Sequence, residues 1–180
     1  QSPGQSLTFG RMIADRRTSV AFTGHRTYRG AAADALRRTV GELYARGFRN
    51  FLSGMAVGFD LAAAEAVLEL RERAPGVRLV AAVPFRGQEM RFSPADRERF
   101  RRVLAEADSV EVLAPAYHRG CYAVRNDFLV DNARVLVAWY DGSPGGTRYT
   151  VRRALGRGLE VVNLCPAAPV PPAPEPTLFG

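Results

Sequence analysis

Apolar and polar positions along the chain fall into six short hydrophobic runs separated by segments with helical spacing. Ser19-Val20-Ala21-Phe22-Thr23 reads as a buried strand, closed by the turn Gly24-His25-Arg26. Ala31 to Arg46 carries apolar residues at 35, 36, 40, 43 and 44, one face of a helix that Gly47 ends. Phe48 to Leu52 predicts a second strand, and residues 59 to 73 an Ala- and Leu-rich helix broken by Pro75-Gly76. Val77 to Val83 predicts the third strand, closed by Pro84-Phe85 and followed by a loop from Arg86 to Phe92 with Gln88 and Glu89. Ser93-Pro94-Ala95-Asp96 then has a Ser cap, Pro at the first helical position and an acid in the first turn, and predicts a helix to about Ala107. Ser109 to Leu113 predicts a strand, Pro115 to Cys121 a loop and Tyr122 to Asn132 a helix. Val135 to Tyr140 is apolar at nearly every position, as expected of a central parallel strand covered on both faces. A loop over 141 to 147, a helix from Arg148 to Arg157 and a strand from Leu159 to Leu164 complete the pattern.

Strands alternating with helices specify an α/β protein: a Rossmann-like, doubly wound, mostly parallel sheet of about six strands with helices on both faces. The domain is expected over 18–166, with an extended arm at 1–17 and a Pro- and Ala-rich tail at 167–180. Ligands of such sheets bind beyond the carboxyl ends of the strands. The loops expected there are 23–29, 53–58, 84–92, 114–121 and 141–147, where the chain concentrates Gly, His, Arg and Asp.

Composition narrows the setting. A chain of 180 residues is long enough to bury about 70% of the surface its unfolded form exposes, so it needs no disulfide. Cys121 and Cys165 form no framework, no apolar run approaches the roughly 20 residues of a membrane helix, and Gln1 to Arg17 lacks a signal-peptide core. The expectation is a cytoplasmic protein without a membrane partner. The net charge of +7 invites a nucleic-acid reading. Every basic residue is Arg, however, and many sit beside acids, as in Asp96-Arg97-Glu98-Arg99, so a solvated surface is the preferred reading.

Two glycine-rich turns carry the candidate chemistry. Ser53-Gly54-Met55-Ala56-Val57-Gly58-Phe59-Asp60 and Asp141-Gly142-Ser143-Pro144-Gly145-Gly146-Thr147 each end a strand and open a helix. The first N–H groups of a helix have no internal partner and face an anion readily. Thr147 can donate to a phosphate or cap its helix, and Asp60 can hold a ribose hydroxyl or complement the helix dipole. Arg26 and Arg125 offer bidentate contacts to phosphate, with a structural pair from Arg125 to Asp127 or Asp131 as the alternative. His25 is placed to stack on a base or move a proton, and Phe85, Tyr117 and Tyr122 are candidates for stacking. His118 and Cys121 have metal-like spacing but lack further ligands, so no metal is expected.

Thr23-Gly24-His25-Arg26, the 53–60 segment, Pro84-Phe85 with Gln88, Cys121 with Arg125-Asn126, and Tyr140-Asp141-Gly142 with Gly145-Gly146-Thr147 together resemble the YpsA-like branch of the SLOG superfamily, from about Ser19 to Pro166. That superfamily is related to the LOG phosphoribohydrolases and the DNA-processing protein DprA. The resemblance implies binding of a nucleotide or nucleotide-derived ligand, of ADP-ribose or NAD kind, in a sensor or effector role, with no resident cofactor. The ligand contacts it implies are Gly24, His25, Arg26, Ser53, Gly54, Met55, Gly58, Asp60, Pro84, Phe85, Arg125, Asn126, Asp141, Gly142, Gly145, Gly146 and Thr147. LOG-type enzymes place a catalytic Glu three residues after the Gly-Gly-Thr threonine, where this chain has Thr150. Binding without hydrolysis is therefore the leaning. A nucleotide hydrolase using Asp141, Glu89 or His25, or a single-stranded nucleic-acid binder of DprA type, remains the alternative, and a homo-oligomer is compatible with all three.

Overall fold

The computed structural model describes residues 15–166. The expected tail and all but the last three residues of the expected arm lie outside the described residues. Six strands alternate there with five α-helices: β1 (Ser19–Gly24), α1 (Ala33–Ala45), β2 (Asn50–Ser53), α2 (Phe59–Arg71), β3 (Arg78–Val83), α3 (Pro94–Glu106), β4 (Ser109–Val112), α4 (Cys121–Asp131), β5 (Val135–Trp139), α5 (Gly146–Gly156) and β6 (Glu160–Asn163). The sheet is parallel at every pairing, in the order β4-β3-β2-β1-β5-β6. The chain winds outward from β1 to β4, crosses back beside β1 with β5, and ends at β6. The strand order therefore reverses between β1 and β5, where Val20 pairs with Val135 and Gly24 with Trp139.

Alternate strand residues feed two cores. Val20, Phe22, Phe51, Leu79, Val135 and Val137 pack beneath α1, α2 and α3, which contribute Leu36, Val40, Phe59, Val67, Phe100 and Val103. Ala21, Leu52, Val80, Leu136 and Ala138 face α4 and α5, with Leu129, Val130, Val151 and Ala154. Each fully buried Phe, Leu or Val side chain contributes about 1.5–3 kcal/mol by leaving water. The two-sided burial explains why β5 is continuously apolar.

Three local findings correct the sequence expectations. Helix α5 starts at Gly146, two residues before the expected start, because Gly145 with φ 138° is its N-cap. Gly146 and Thr147 thus belong to the first turn of a helix rather than to a loop. Cys121 similarly opens α4 after the left-handed Gly120. The 86–92 segment is not wholly loop, since Gln88–Arg91 forms a 3-10 turn after the left-handed Gly87.

Candidate functional site

Between the carboxyl ends of β1 and β5 lies a cavity of about 330 Å³, walled by Thr23, Gly24, His25 and Arg26 after β1, Ala56 and Asp60 at the start of α2, Tyr122, Arg125 and Asn126 on α4, and Gly146 and Thr147 on α5. It occupies the topological switch point, where one outgoing loop turns to each face of the sheet.

Packing fixes the loop after β1. A Cβ on Gly24 would lie 2.4 Å from Phe59, so only glycine lets the end of β1 rest against the first turn of α2. Gly58 has φ 81°, and a Cβ there would lie 2.6 Å from the Arg26 carbonyl oxygen and 2.7 Å from that of His25. The Phe59 amide donates to the same His25 carbonyl.

The 53–58 loop is closed by its own hydrogen bonds. The Ser53 hydroxyl donates to the Asp60 carbonyl at 2.9 Å and accepts from the Met55 amide at 3.2 Å. Met55 takes φ 61°, an unusual conformation for a residue with a side chain, and its side chain is fully buried in the core beneath α1 to α3. The Ala56 amide donates to Oδ2 of Asp60 at 3.3 Å, leaving Oδ1 buried without a hydrogen-bond partner among the described residues. Burial pushes the Asp60 carboxyl up to about 6, against the opposing pull of Arg125, the Ala56 amide and Arg26.

Arg125 is 6% exposed. Its guanidinium donates from Nε to Asn126 Oδ1 at 2.8 Å and from an Nη to the Gly54 carbonyl, and it makes no ion pair among the described residues. The expected alternative partners are engaged elsewhere: Asp127 accepts from the Tyr149 hydroxyl at 2.7 Å and pairs with Arg153, while Asp131 pairs with Arg153 and Arg157. Burial lowers the Arg125 pKa from its usual value, offset by the nearby Asp60 charge. A buried guanidinium and a buried carboxylate therefore share one wall, held by backbone and amide groups rather than by each other.

Helix α5 points its amino terminus into this space. Gly145 has no side chain to cap the first amides, and a Cβ on Gly146 would meet only Asn126 Nδ2, at 3.7 Å. Unlike Gly24 and Gly58, Gly146 is thus not demanded by the protein's own packing. Thr150 is buried and donates back to the Gly146 carbonyl at 2.9 Å, so its hydroxyl serves the helix.

His25 Nε2 lies 2.8 Å from Asp141 Oδ1 and 3.2 Å from the Asp141 amide. Protonated, it donates to the carboxylate; neutral with the proton on Nδ1, it accepts from the amide. Its ring stacks on Tyr140 at 6.0 Å and meets Trp139 edge-on. Asp141 in turn accepts from the Ser143 hydroxyl and amide, which hold its carboxyl below the usual range.

Of the sequence candidates, the cavity brings together Gly24, His25, Arg26, Asp60, Arg125, Asn126, Gly146 and Thr147. Gly54, Asp141 and Gly145 stand one layer behind, holding Arg125, His25 and the start of α5. Ser53 closes its own loop, Met55 is core, Gly58 packs on backbone, and Gly142, with φ 92°, shapes the turn. Pro84 and Phe85 are buried outside the cavity wall; Phe85 packs on Ala114 and Cys121 and meets Tyr117 and Tyr122 edge-on, so it has no free face for a base. Sequence reasoning missed Thr23 and Ala56 as wall residues, though both stand inside quoted motifs. A larger groove of about 600 Å³ runs over α1 and α2, but most of its charges are matched internally, as in Arg37 with Glu69 and Arg99 with Glu65. No group of three or more His, Cys, Asp or Glu residues that could hold a metal occurs among the described residues. None of their helices is long and apolar enough to cross a membrane.

A wound parallel sheet with a polar cavity at its switch point is a Rossmann-like architecture. The model of the YspA SLOG family (YpsA) matches residues 21–158, and the chain belongs to that family. It is similar to a UPF0398 protein of Bacillus thuringiensis (strain Al Hakam), with 29% identity over 132 residues covering 72% of this chain and 71% of the relative. A UPF0398 protein of Bacillus cereus (strain G9842) is 28% identical over 137 residues, 74% of each chain. In fold it is similar to DNA processing protein A (DprA) from Streptococcus pneumoniae, with TM-score 0.58, 19% identity, and coverage of 79% of this chain and 48% of that one. DprA from Helicobacter pylori gives TM-score 0.57, 16% identity, and coverage of 79% and 63%. The chain spans about half of the first DprA and less than two thirds of the second, and at these identities the likeness is one of fold.

Proposed function

We propose that the cavity binds a nucleotide or nucleotide-derived small molecule, and that the domain acts as a sensor or effector of it. The observation that carries this reading is Asp60 Oδ1: a buried oxygen without a partner among the described residues, on a wall that also holds the Arg125 guanidinium, without an ion pair among those residues, and the uncapped start of α5. A buried polar atom left unsatisfied costs about 1–3 kcal/mol, and a bound hydroxyl donor removes that cost. Arg125, Arg26 and the first amides of α5 supply the donors that a phosphate accepts from. A ribose phosphate offers both chemistries within one small molecule. The volume sits at the low end of the about 300–1,000 Å³ typical of ligand pockets, so the cavity takes a nucleoside phosphate and leaves any second half of an ADP-ribose or NAD outside the mouth.

Hydrolysis is the weaker reading because Thr150, at the position of the LOG-type Glu, is turned into its own helix. The test is calorimetric titration with AMP, ADP-ribose and NAD, using the wild type and Gly146→Val. Saturable binding that the substitution removes, with the melting temperature maintained, supports the cavity. Equal binding by both proteins would place the ligand elsewhere. Chromatography of the same mixtures for released base decides on turnover.

A further inference from the structure

Beside the cavity, and sharing Arg26 and Tyr122 with its wall, lies a second surface built by three loops. Tyr117 is 51% exposed, and its ring meets Phe85 edge-on at 5.5 Å and Tyr122 at 6.3 Å. Arg91, from the turn after β3, lies over the Tyr117 ring at 4.4 Å, and Arg26, from the loop after β1, lies over Tyr122 at 5.2 Å. Arg119 is exposed two residues beyond Tyr117. None of these three arginines makes an ion pair among the described residues, in contrast to Arg37, Arg99 and Arg153. We propose that this aromatic and arginine surface binds single-stranded nucleic acid, with a base stacked at Tyr117 and the backbone phosphates on Arg26, Arg91 and Arg119.

The chemistry selects that partner. The buried Phe85 meets the half-exposed Tyr117 ring edge-on, a packing contact that restricts the ring and lowers the cost of ordering it when a base stacks on it. Planar guanidinium groups also stack on bases while pairing with phosphate. Duplex bases are already stacked on each other and offer no free face, so the surface distinguishes single strands from duplexes. Arg26 belongs to both sites, whereas Arg91, Tyr117 and Arg119 lie outside the cavity wall.

The experiment is fluorescence anisotropy with a labelled oligothymidylate and a duplex of equal length across a salt series. Wild type should prefer the single strand, and its affinity should fall with salt at about 0.7 logarithmic units per phosphate contacted. Tyr117→Ala should weaken binding roughly tenfold while Tyr117→Phe retains it, the range for one base on an aromatic ring being about 1–3 kcal/mol. Arg91→Ala should flatten the salt slope. Gly146→Val should remove nucleotide binding and leave strand binding intact, so wild type that binds the strand but no nucleotide would sink only the cavity reading. Equal affinity of wild type and Tyr117→Ala, equal affinity for duplex, or no binding at low salt would overturn the proposal.

Discussion

At Asp60 the cost of burying a carboxyl meets its proposed role in ligand binding. Its carboxyl is pushed from the model-compound value of 3.8 to about 6 by burial. The neutral form stabilises the fold fully below about pH 4, and that contribution is lost as pH rises through about 6. A shift of about two units corresponds to roughly 3 kcal/mol. Asp60→Asn should therefore match wild type below pH 4 and be more stable by up to about 3 kcal/mol at pH 7, as read from urea unfolding at each pH. A difference that does not change with pH would mean the carboxyl is not desolvated as the structure has it. The glycines give a second residue-level prediction. Gly58→Ala forces a Cβ against two carbonyl oxygens at positive φ and should cost several kcal/mol, whereas Gly146→Ala should preserve or slightly raise the melting temperature, because alanine has the better helix propensity. Destabilisation by Gly146→Ala comparable to that of Gly58→Ala would show that Gly146 serves packing rather than access.

Helices α3 and α5 begin in opposite ways. In α3, Ser93 accepts from the Asp96 amide at 3.2 Å and Pro94 fills the first turn, so the helix start is closed. Helix α5 starts after Gly145, which supplies no side-chain cap. Ser93→Ala should cost about 1 kcal/mol in chemical denaturation and leave nucleotide affinity unchanged, since the cap serves the helix alone. The closed start was legible in the sequence because Ser, Pro and Asp at fixed offsets announce it. The open start was placed two residues late because Gly145-Gly146 reads as a turn, and only the backbone angle at Gly145 shows where the helix begins. The continuous apolar run of β5 revealed a central strand, and the alternation of elements revealed the sheet, since both depend on spacing within short windows. What spacing does not carry is who covers whom. Phe85 was expected to face a ligand because it follows a strand end, but Ala114 and Cys121 from later elements bury it. Likewise, only the fold brings Arg125, on α4 far along the chain, to the same cavity wall as Asp60.

At the scale of the whole molecule, the reversal of strand order between β1 and β5 joins these pieces. Helices leaving toward opposite faces open a gap that neither core fills, and the loop after β1, α2 and α4 bring Arg26, Asp60 and Arg125 to its wall. A ligand hydroxyl that donates to Asp60 needs the carboxylate form, so binding and proton release are linked. For a ligand whose own phosphates do not titrate in this range, such as NAD, affinity should rise between pH 5 and pH 7 by up to about tenfold, because at pH 5 most Asp60 carries a proton. Heat of titration measured in buffers of different ionisation enthalpy should report about one proton released per NAD bound at pH 5 and almost none at pH 7.5. The Asp60→Asn protein should bind with no such pH dependence. Wild-type affinity that is flat across this interval, with no proton released at pH 5, would mean that the ligand leaves Asp60 untouched and that its unpaired oxygen serves some purpose other than recognition.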